Sequence, residues 1–161
     1  MHRRNIDLIS TLSRDWLDYA QQVPDSIIAK IGWEGTLTVP LITLDALIAT
    51  HGVPDFFKID VEGYELEVLK GLGQPIPLVS LEYTHGRLQL TLDCISRLTE
   101  LGEYVFNLSE LESMEMSCDE WVSADEVAAM LVDRFGKREF GYGDVYARSS
   151  TRPSKNNLNP G

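Results

Sequence analysis

The sequence predicts an α/β fold, in which short strands alternate with helices. Two patterns carry this prediction: five β-rich apolar runs are separated by four stretches with apolar residues at steps of three and four, and a glycine follows each helical stretch. Such alternation is typical of βαβ units. With 161 residues, 43% apolar and 24% charged, the chain has the size and composition of one globular domain.

The predicted elements follow one another from residue 37. Strands are expected at 37–41, 55–61, 78–83, 104–108 and around 145. Helices are expected between 43 and 52, 63 and 71, 87 and 102, and 123 and 136.

The two ends of the chain differ from this pattern. Residues 7–22 are expected to form an amphipathic helix or an irregular segment. Residues 149–161 are rich in Pro, Ser, Asn and Gly, which predicts a disordered polar tail.

The last predicted helix has a capping signal at its start. Ser123 and Glu126 have the S-x-x-E spacing of a capping box.

The charge and cysteine content exclude several classes of partner and site. Fourteen basic residues against 25 acidic ones give a formal charge of -11, which repels nucleic acid and anionic membrane surfaces. Cys94 and Cys118 have no His at ligand spacing, so neither a disulfide framework nor a zinc site is indicated. No signal peptide and no apolar run of about 20 residues is present. We therefore expect a cytoplasmic location.

One predicted strand carries three charges on one side. Lys58, Asp60 and Glu62 recur at period two within the run that ends at Val61. A parallel strand is covered on both faces, so its charges must be paired or lie at the open carboxyl end, where ligands bind. Two interpretations stay open: an ion pair of Lys58 that holds the strand end together, or a functional site.

The next predicted strand ends in further polar groups. Glu82 and His85 follow it, and we expect both to approach Asp60 at the same edge of the sheet. His85 is a candidate base because histidine side chains commonly accept protons in active sites, although a single loop histidine is more often merely exposed. The chain has no G-x-S-x-G, H-E-x-x-H, C-x-x-C or P-loop motif, which disfavours those reaction classes.

Several segments, taken in order, resemble one enzyme family. Residues 43–47 read T-L-D-A-L, and residues 58–71 read K-I-D-V-E-G-Y-E-L-E-V-L-K-G. Further similarity covers S-T-L-S-R-D-W at 10–16, L-E at 81–82 and G-D-V-Y-A-R at 143–148. In this order the motifs resemble the FkbM-type S-adenosylmethionine-dependent methyltransferases, and the resemblance covers nearly the whole chain except the tail.

The resemblance implies a fold, a reaction and site residues. The fold is a class I methyltransferase (Rossmann-like) doubly wound sheet, mostly parallel with an antiparallel last strand. The reaction moves a methyl group from S-adenosylmethionine to an oxygen of a sugar or other small metabolite. Together with the strand-end geometry, the resemblance makes Asp60 the candidate base or acceptor-orienting group. Glu62 and Glu82 become supporting catalytic carboxylates or metal ligands, and Asp45 and Asp60 become donor contacts, with Asp45 near the adenine.

The sequence also departs from the family pattern. The family has an early strand leading into a glycine-rich loop for the donor, and a second strand ending in an acid for the ribose. Here the glycine pairs at 71–73 and 141–143 follow a helix or come last, so neither matches that loop. We therefore expect residues 1–148 to be a partial FkbM-like domain from a longer reading frame, which by itself binds S-adenosylmethionine weakly or not at all.

Two consequences follow from this departure. The alternative to an enzyme is a non-catalytic remnant or interaction module of the same fold, which lacks the donor site. In both cases the strand from Phe56 to Val61 would lie at an edge of the sheet, and its apolar residues favour self-association.

Overall fold

The structure is a computed structural model of the chain. It describes residues 2–4, 10–22, 33–111, 113, 115–137 and 141–150, with the backbone alone at 2–4, 33 and 34. The predicted polar tail from residue 151 onward, and residues 7–9 of the predicted N-terminal segment, lie outside this part.

Seven strands and five helices are present within the described ranges. The strands are β1 (His2–Arg4), β2 (Ser10–Thr11), β3 (Trp33–Thr36), β4 (Phe57–Ile59), β5 (Leu78–Thr84), β6 (Tyr104–Glu110) and β7 (Tyr142–Ser149). The helices are α1 (Arg14–Gln22), α2 (Leu44–His51), α3 (Glu65–Lys70), α4 (Leu88–Leu101) and α5 (Ala124–Lys137). Among these described helices, none is both long and apolar enough to cross a membrane.

The main sheet has the strand order β4–β5–β7–β6. The pair β4 and β5 is parallel, whereas β7 is antiparallel to both of its neighbours, β5 and β6. The last strand is antiparallel, as expected. The strands β4, β5 and β6 run in the same direction, but because the sheet is mixed, the expectation of a mostly parallel sheet is not confirmed. The reason is that β7 inserts between two strands of the same direction, which makes both of its pairings antiparallel.

The first predicted strand is wrong. Residues 37–43 form no strand, and the nearby strand is β3, which pairs with β1 in a small antiparallel sheet of order β2–β1–β3. Pro40 lies within the predicted run and has no N–H for a ladder. Leu37 and Leu41 are 47% and 70% exposed, so the alternation of apolar residues does not mark a buried face here.

The other predicted elements are found with shifted ends. β4 ends at Ile59 and not at Val61, because the backbone turns at Glu62 and Gly63, which have positive φ angles of 53° and 89°. β7 extends through Ser149, a residue expected in the tail. The capping box is confirmed: Ser123 N–H donates to Glu126 Oε2 at 2.8 Å, and Glu126 N–H donates to Ser123 Oγ at 3.3 Å.

The core lies between the main sheet and the helices that follow its strands. Apolar side chains from β5, β6 and β7 pack against those of α3, α4 and α5 in one cluster. The largest fully buried members include Leu69, Leu81, Leu98, Phe106, Leu131 and Val145. This core fixes the positions of β4 and β5, whose carboxyl ends carry the polar residues considered next.

Candidate active site

The turn after β4 is held in place by the N-terminal segment. The Thr11 hydroxyl, on a residue only 1% exposed, donates to the Glu62 carbonyl at 2.7 Å. Gly63 lies against the Trp16 side chain so closely that a Cβ there would be 2.8 Å from Trp16 Cδ1. Glu65 Oε1 accepts the Gly63 N–H at 3.0 Å. Glycine is therefore required at position 63 both by the positive φ and by the lack of space.

The segment that holds this turn is itself ordered by local hydrogen bonds. Thr11 Oγ1 accepts the Ser13 N–H at 2.9 Å, and Ser13 Oγ accepts the Trp16 N–H at 3.1 Å. Ser13 thereby caps the first turn of α1. The sequence motif at 10–16 contributes to the family resemblance but predicts no role for these residues. Its role in the structure is to support the Glu62 turn.

Three carboxylates lie together at the carboxyl ends of β4 and β5. One oxygen atom each from Asp60, Glu62 and Glu82 lies within 4.8 Å of the other two. The parallel register pairs Ile59 with Leu81, so the next residues, Asp60 and Glu82, come side by side. The expected proximity of these two is found, while their catalytic roles stay predictions. Such a group of oxygens has the chemistry to hold a divalent cation or to move a proton.

Glu82 has a strongly altered acidity within this carboxylate cluster. Burial raises its pKa first, and the charges of Glu62, Asp60 and Glu65 add to the effect, whereas Lys58 opposes it. The resulting pKa is about 8, against an ordinary value of 4.5. Glu82 is therefore protonated in most molecules at neutral pH.

Lys58 has its shortest ion pair with a residue that the sequence did not suggest. Its Nζ lies 2.8 Å from Asp144 Oδ1 on β7 and 3.8 Å from Asp60 Oδ2. Burial lowers the pKa of Lys58, but the hydrogen bond and charge of Asp144, together with the charges of Asp60 and Glu82, outweigh burial, so the net pKa is raised. Lys58 thus forms an ion pair with Asp144 as its nearer partner, and the choice between a purely structural pair and a functional strand end stays a prediction. Asp60 keeps a side chain that is 47% exposed.

The remaining predicted site residues lie elsewhere. Asp45 is in the first turn of α2, where its Oδ1 accepts the Gly73 N–H at 2.9 Å and its own N–H donates to the Gly71 carbonyl. Of the described residues, only the three carboxylates form the cluster, and Asp45 is not among them.

The expected approach of His85 to Asp60 is not found. The His85 ring lies 5.2 Å from the Phe135 ring, with Nε2 3.4 Å from the Phe135 carbonyl, so it packs on α5. The Tyr19 hydroxyl donates to the His85 carbonyl. The turn after β5 is therefore held against α1, and its histidine is not part of the carboxylate cluster.

Comparison with known proteins identifies the family of the chain. The family described as "Methyltransferase FkbM domain" matches residues 14–138. Hexuronic acid methyltransferase AglP from Haloferax volcanii is 42% identical over 53 residues, which are 32% of this chain and 22% of that protein. The matched part thus spans less than a quarter of that relative. The family match covers most of the chain, including the carboxylate cluster and the turn at Gly63, and the chain therefore belongs to the FkbM methyltransferase family.

Proposed function

We propose that this chain carries the catalytic carboxylates of an S-adenosylmethionine-dependent methyltransferase that acts on an oxygen of a sugar or other small metabolite. The observation that carries the proposal is the cluster of Asp60, Glu62 and Glu82 at the carboxyl ends of two parallel strands. Ligands bind at this edge in α/β sheets. A relative named for its action on hexuronic acid supports a sugar as the acceptor.

The carboxylates of the site have the chemistry to contact the sulfonium and the ribose of the methyl donor. When bound, S-adenosylmethionine supplies an electrophilic methyl group on a positively charged sulfur. A cluster of carboxylates suits that positive charge, and an exposed carboxylate such as Asp60 can accept hydrogen bonds from ribose hydroxyls. Asp45 is the second proposed donor contact. Its Oδ1 accepts the Gly73 N–H, so Oδ2 is the oxygen that we propose to contact the donor.

The glycine turns at this edge do not match the donor's carboxylate group. Gly63 and Gly86 follow β4 and β5 with φ angles of 89° and 87°. A Cβ on either glycine would meet the ring of Trp16 or Tyr19, at 2.8 and 2.6 Å. These turns are filled by the chain's own aromatic side chains. We therefore expect weak donor binding by the described residues.

Each carboxylate has a distinct proposed task. Glu82, with a pKa of about 8, is suited to accept the proton of the acceptor oxygen near neutral pH, since a base works best when its pKa is close to the working pH. Asp60 is the most exposed of the three and orients the acceptor or donor hydroxyls. Glu62 contributes a negative charge that raises the pKa of Glu82 toward the working pH.

The test is methyl transfer from isotope-labelled S-adenosylmethionine to a panel of free sugars and uronic acids. Donor is supplied at millimolar concentration, because weak binding reduces occupancy without removing the chemistry. We expect slow transfer by the unmodified chain, and a loss of about a hundredfold or more in Asp60→Asn and in Glu82→Gln. The rate should rise with pH up to about 8 and lose this dependence in Glu82→Gln.

Stability measurements and a matched control separate catalysis from folding. Asp60→Asn removes an exposed carboxylate. Because Lys58 lies closer to Asp144 than to Asp60, the loss of this ion pair should change the free energy of unfolding by about 1 kcal/mol or less. Glu67→Gln changes an equally exposed carboxylate on α3 and should keep full activity. Absence of transfer at saturating donor would favour the non-catalytic alternative. Full activity in Asp60→Asn would remove that residue from the site.

A further inference from the structure

One edge of β4 is open to a further strand. β4 lies at the end of the order β4–β5–β7–β6, and among the described strands it pairs only with β5. Phe56, directly before β4, is 46% exposed. The edge of a sheet offers a row of N–H and C=O groups that a strand of another chain can bind. The outer edge of β4 is therefore a surface on which such a strand can dock.

Two side chains of opposite charge lie on one face of this edge. Lys58 and Asp60 are two positions apart and both are half-exposed, with Nζ and Oδ2 3.8 Å from each other. The alternate residues Phe57, Ile59 and Val61 are buried or partly buried against the core on the other face. The edge thus carries one positive and one negative charge on one face and apolar groups on the other.

A second copy of the chain complements this pattern in one register. Side chains directly opposite each other in an antiparallel pair share a face, so a twofold axis between two β4 edges must pass through a residue. An axis at Lys58 sets lysine against lysine, and an axis at Asp60 sets aspartate against aspartate. An axis at Ile59 sets Lys58 opposite the partner's Asp60. Phe57 then faces the partner's Val61, an aromatic and β-branched pair of the kind that stabilises sheets.

We propose that two copies of this chain associate by antiparallel pairing of their β4 strands, with the twofold axis at Ile59. Two equivalent ion pairs between Lys58 and the partner's Asp60 then span the interface. The association also brings the partner's Lys58 to Asp60, so each copy adds a positive charge to the carboxylate cluster of the other. This inference goes beyond the proposed function and does not depend on it.

The charges decide which strand the edge accepts. A lysine on an edge strand opposes pairing with most strands, because its charge meets no counter-ion there. The partner's Asp60 supplies that counter-ion in the Ile59 register alone. Lys58 donates one hydrogen bond to Asp144 at 2.8 Å, and an ammonium group has three donors, so donors are left for the partner's Asp60.

The twofold arrangement limits both the size and the strength of the assembly. Both copies use the same edge, so the pairing closes at two copies. β4 has three residues, and the backbone turns at Glu62 soon after its end. The interface is therefore small, and we expect a weak, reversible dimer that forms at roughly millimolar protein concentration.

The experiment is sedimentation equilibrium of the unmodified chain and of two charge-reversal variants, up to roughly millimolar concentration. The unmodified chain should show a monomer–dimer equilibrium that high salt weakens. Lys58→Glu and Asp60→Lys each set like charges opposite each other, so each should weaken the dimer by about tenfold or more. An equimolar mixture of the two variants again has opposite charges at both positions and should associate as well as the unmodified chain.

The controls reverse charges on exposed side chains away from β4. Glu67 and Lys70 form an ion pair on α3, and Glu67→Lys or Lys70→Glu should leave dimer formation unchanged. Circular dichroism establishes that each variant is folded.

Several results would overturn the inference. They are a chain that stays monomeric, assemblies larger than a dimer, single variants that associate as the unmodified chain does, and a mixture that associates no better than either variant alone. If Lys58→Glu does not fold, undiminished association of Asp60→Lys overturns it. Neither donor nor acceptor is present, so these results are independent of whether the chain transfers methyl groups.

Discussion

Gly63→Ala is the substitution that tests most directly how the site is supported. The residue has a φ of 89°, and its position faces the Trp16 side chain. Left-handed backbone costs an alanine about 1–2 kcal/mol. The added Cβ would be 2.8 Å from Trp16 Cδ1 and 2.9 Å from Trp16 Cβ, and overlap of this kind costs about 1–3 kcal/mol. The smaller entropy of unfolded alanine offsets about 0.4–1 kcal/mol.

The expected net loss is about 2–4 kcal/mol in the free energy of unfolding. With a urea dependence of about 2 kcal/mol per molar, the midpoint should fall by roughly 1–2 M. The assay is urea unfolding followed by circular dichroism. Gly136→Ala is the matched control, because a Cβ there meets no atom within 4 Å and the site is helical. It should gain up to about 1 kcal/mol.

A second readout connects this perturbation to the site. Since Gly63 follows Glu62, displacement of the turn should move the Glu62 carboxylate away from Glu82 and lower the pKa of Glu82 from about 8. Carbon-detected NMR titration of the glutamate carboxyls measures this change. A Gly63→Ala variant as stable as Gly136→Ala, with the pKa of Glu82 unaltered, would refute the argument that Trp16 and the positive φ together hold the turn.

Two further predictions concern stability. The folded pKa of Glu82, about 8, exceeds its ordinary 4.5, so between these pH values the folded state keeps a proton that the unfolded state has lost. The free energy of unfolding should therefore fall by about 2–4 kcal/mol as pH rises from about 5 to 8, relative to the Glu82→Gln variant. Urea titrations of the unmodified chain and the variant at each pH measure this difference. An identical pH dependence in the two proteins would contradict the prediction. Ser123→Ala should cost about 0.5–2 kcal/mol, because it removes the side-chain cap of α5. Ser123→Ala should also raise the pKa of Glu126, because the backbone N–H and the hydroxyl of Ser123 lower that pKa in the unmodified chain. An unchanged melting temperature together with an unchanged Glu126 titration would show that the capping box does not support the helix.

Some earlier expectations stay predictions. β4 lies at one end of the described main sheet, as expected. Self-association through β4 stays a prediction. Lys58, at the centre of β4, is the type of residue that opposes edge pairing. The partial domain at 1–148 and the cytoplasmic location are likewise untested.

Local signals in the sequence were sufficient for most elements and for part of the site. Apolar periodicity predicts α2 to α5, and the spacing of Ser123 and Glu126 predicts the cap of α5. The proximity of Asp60 and Glu82 was also predictable, because residues that follow adjacent parallel strands meet at one edge. These features depend on short-range patterns or on a general property of α/β sheets.

The tertiary structure alone decided the rest. β7 lies between β5 and β6, and Lys58 pairs with Asp144, which is 86 positions away along the chain. Glu62 joins the carboxylates through a backbone turn that Thr11 and Trp16 hold from outside the sheet. Apolar periodicity reports only which side of an element is buried, and not which distant segment covers it. Contacts between distant segments, and the pKa of Glu82 that burial raises, therefore follow only once the chain is packed.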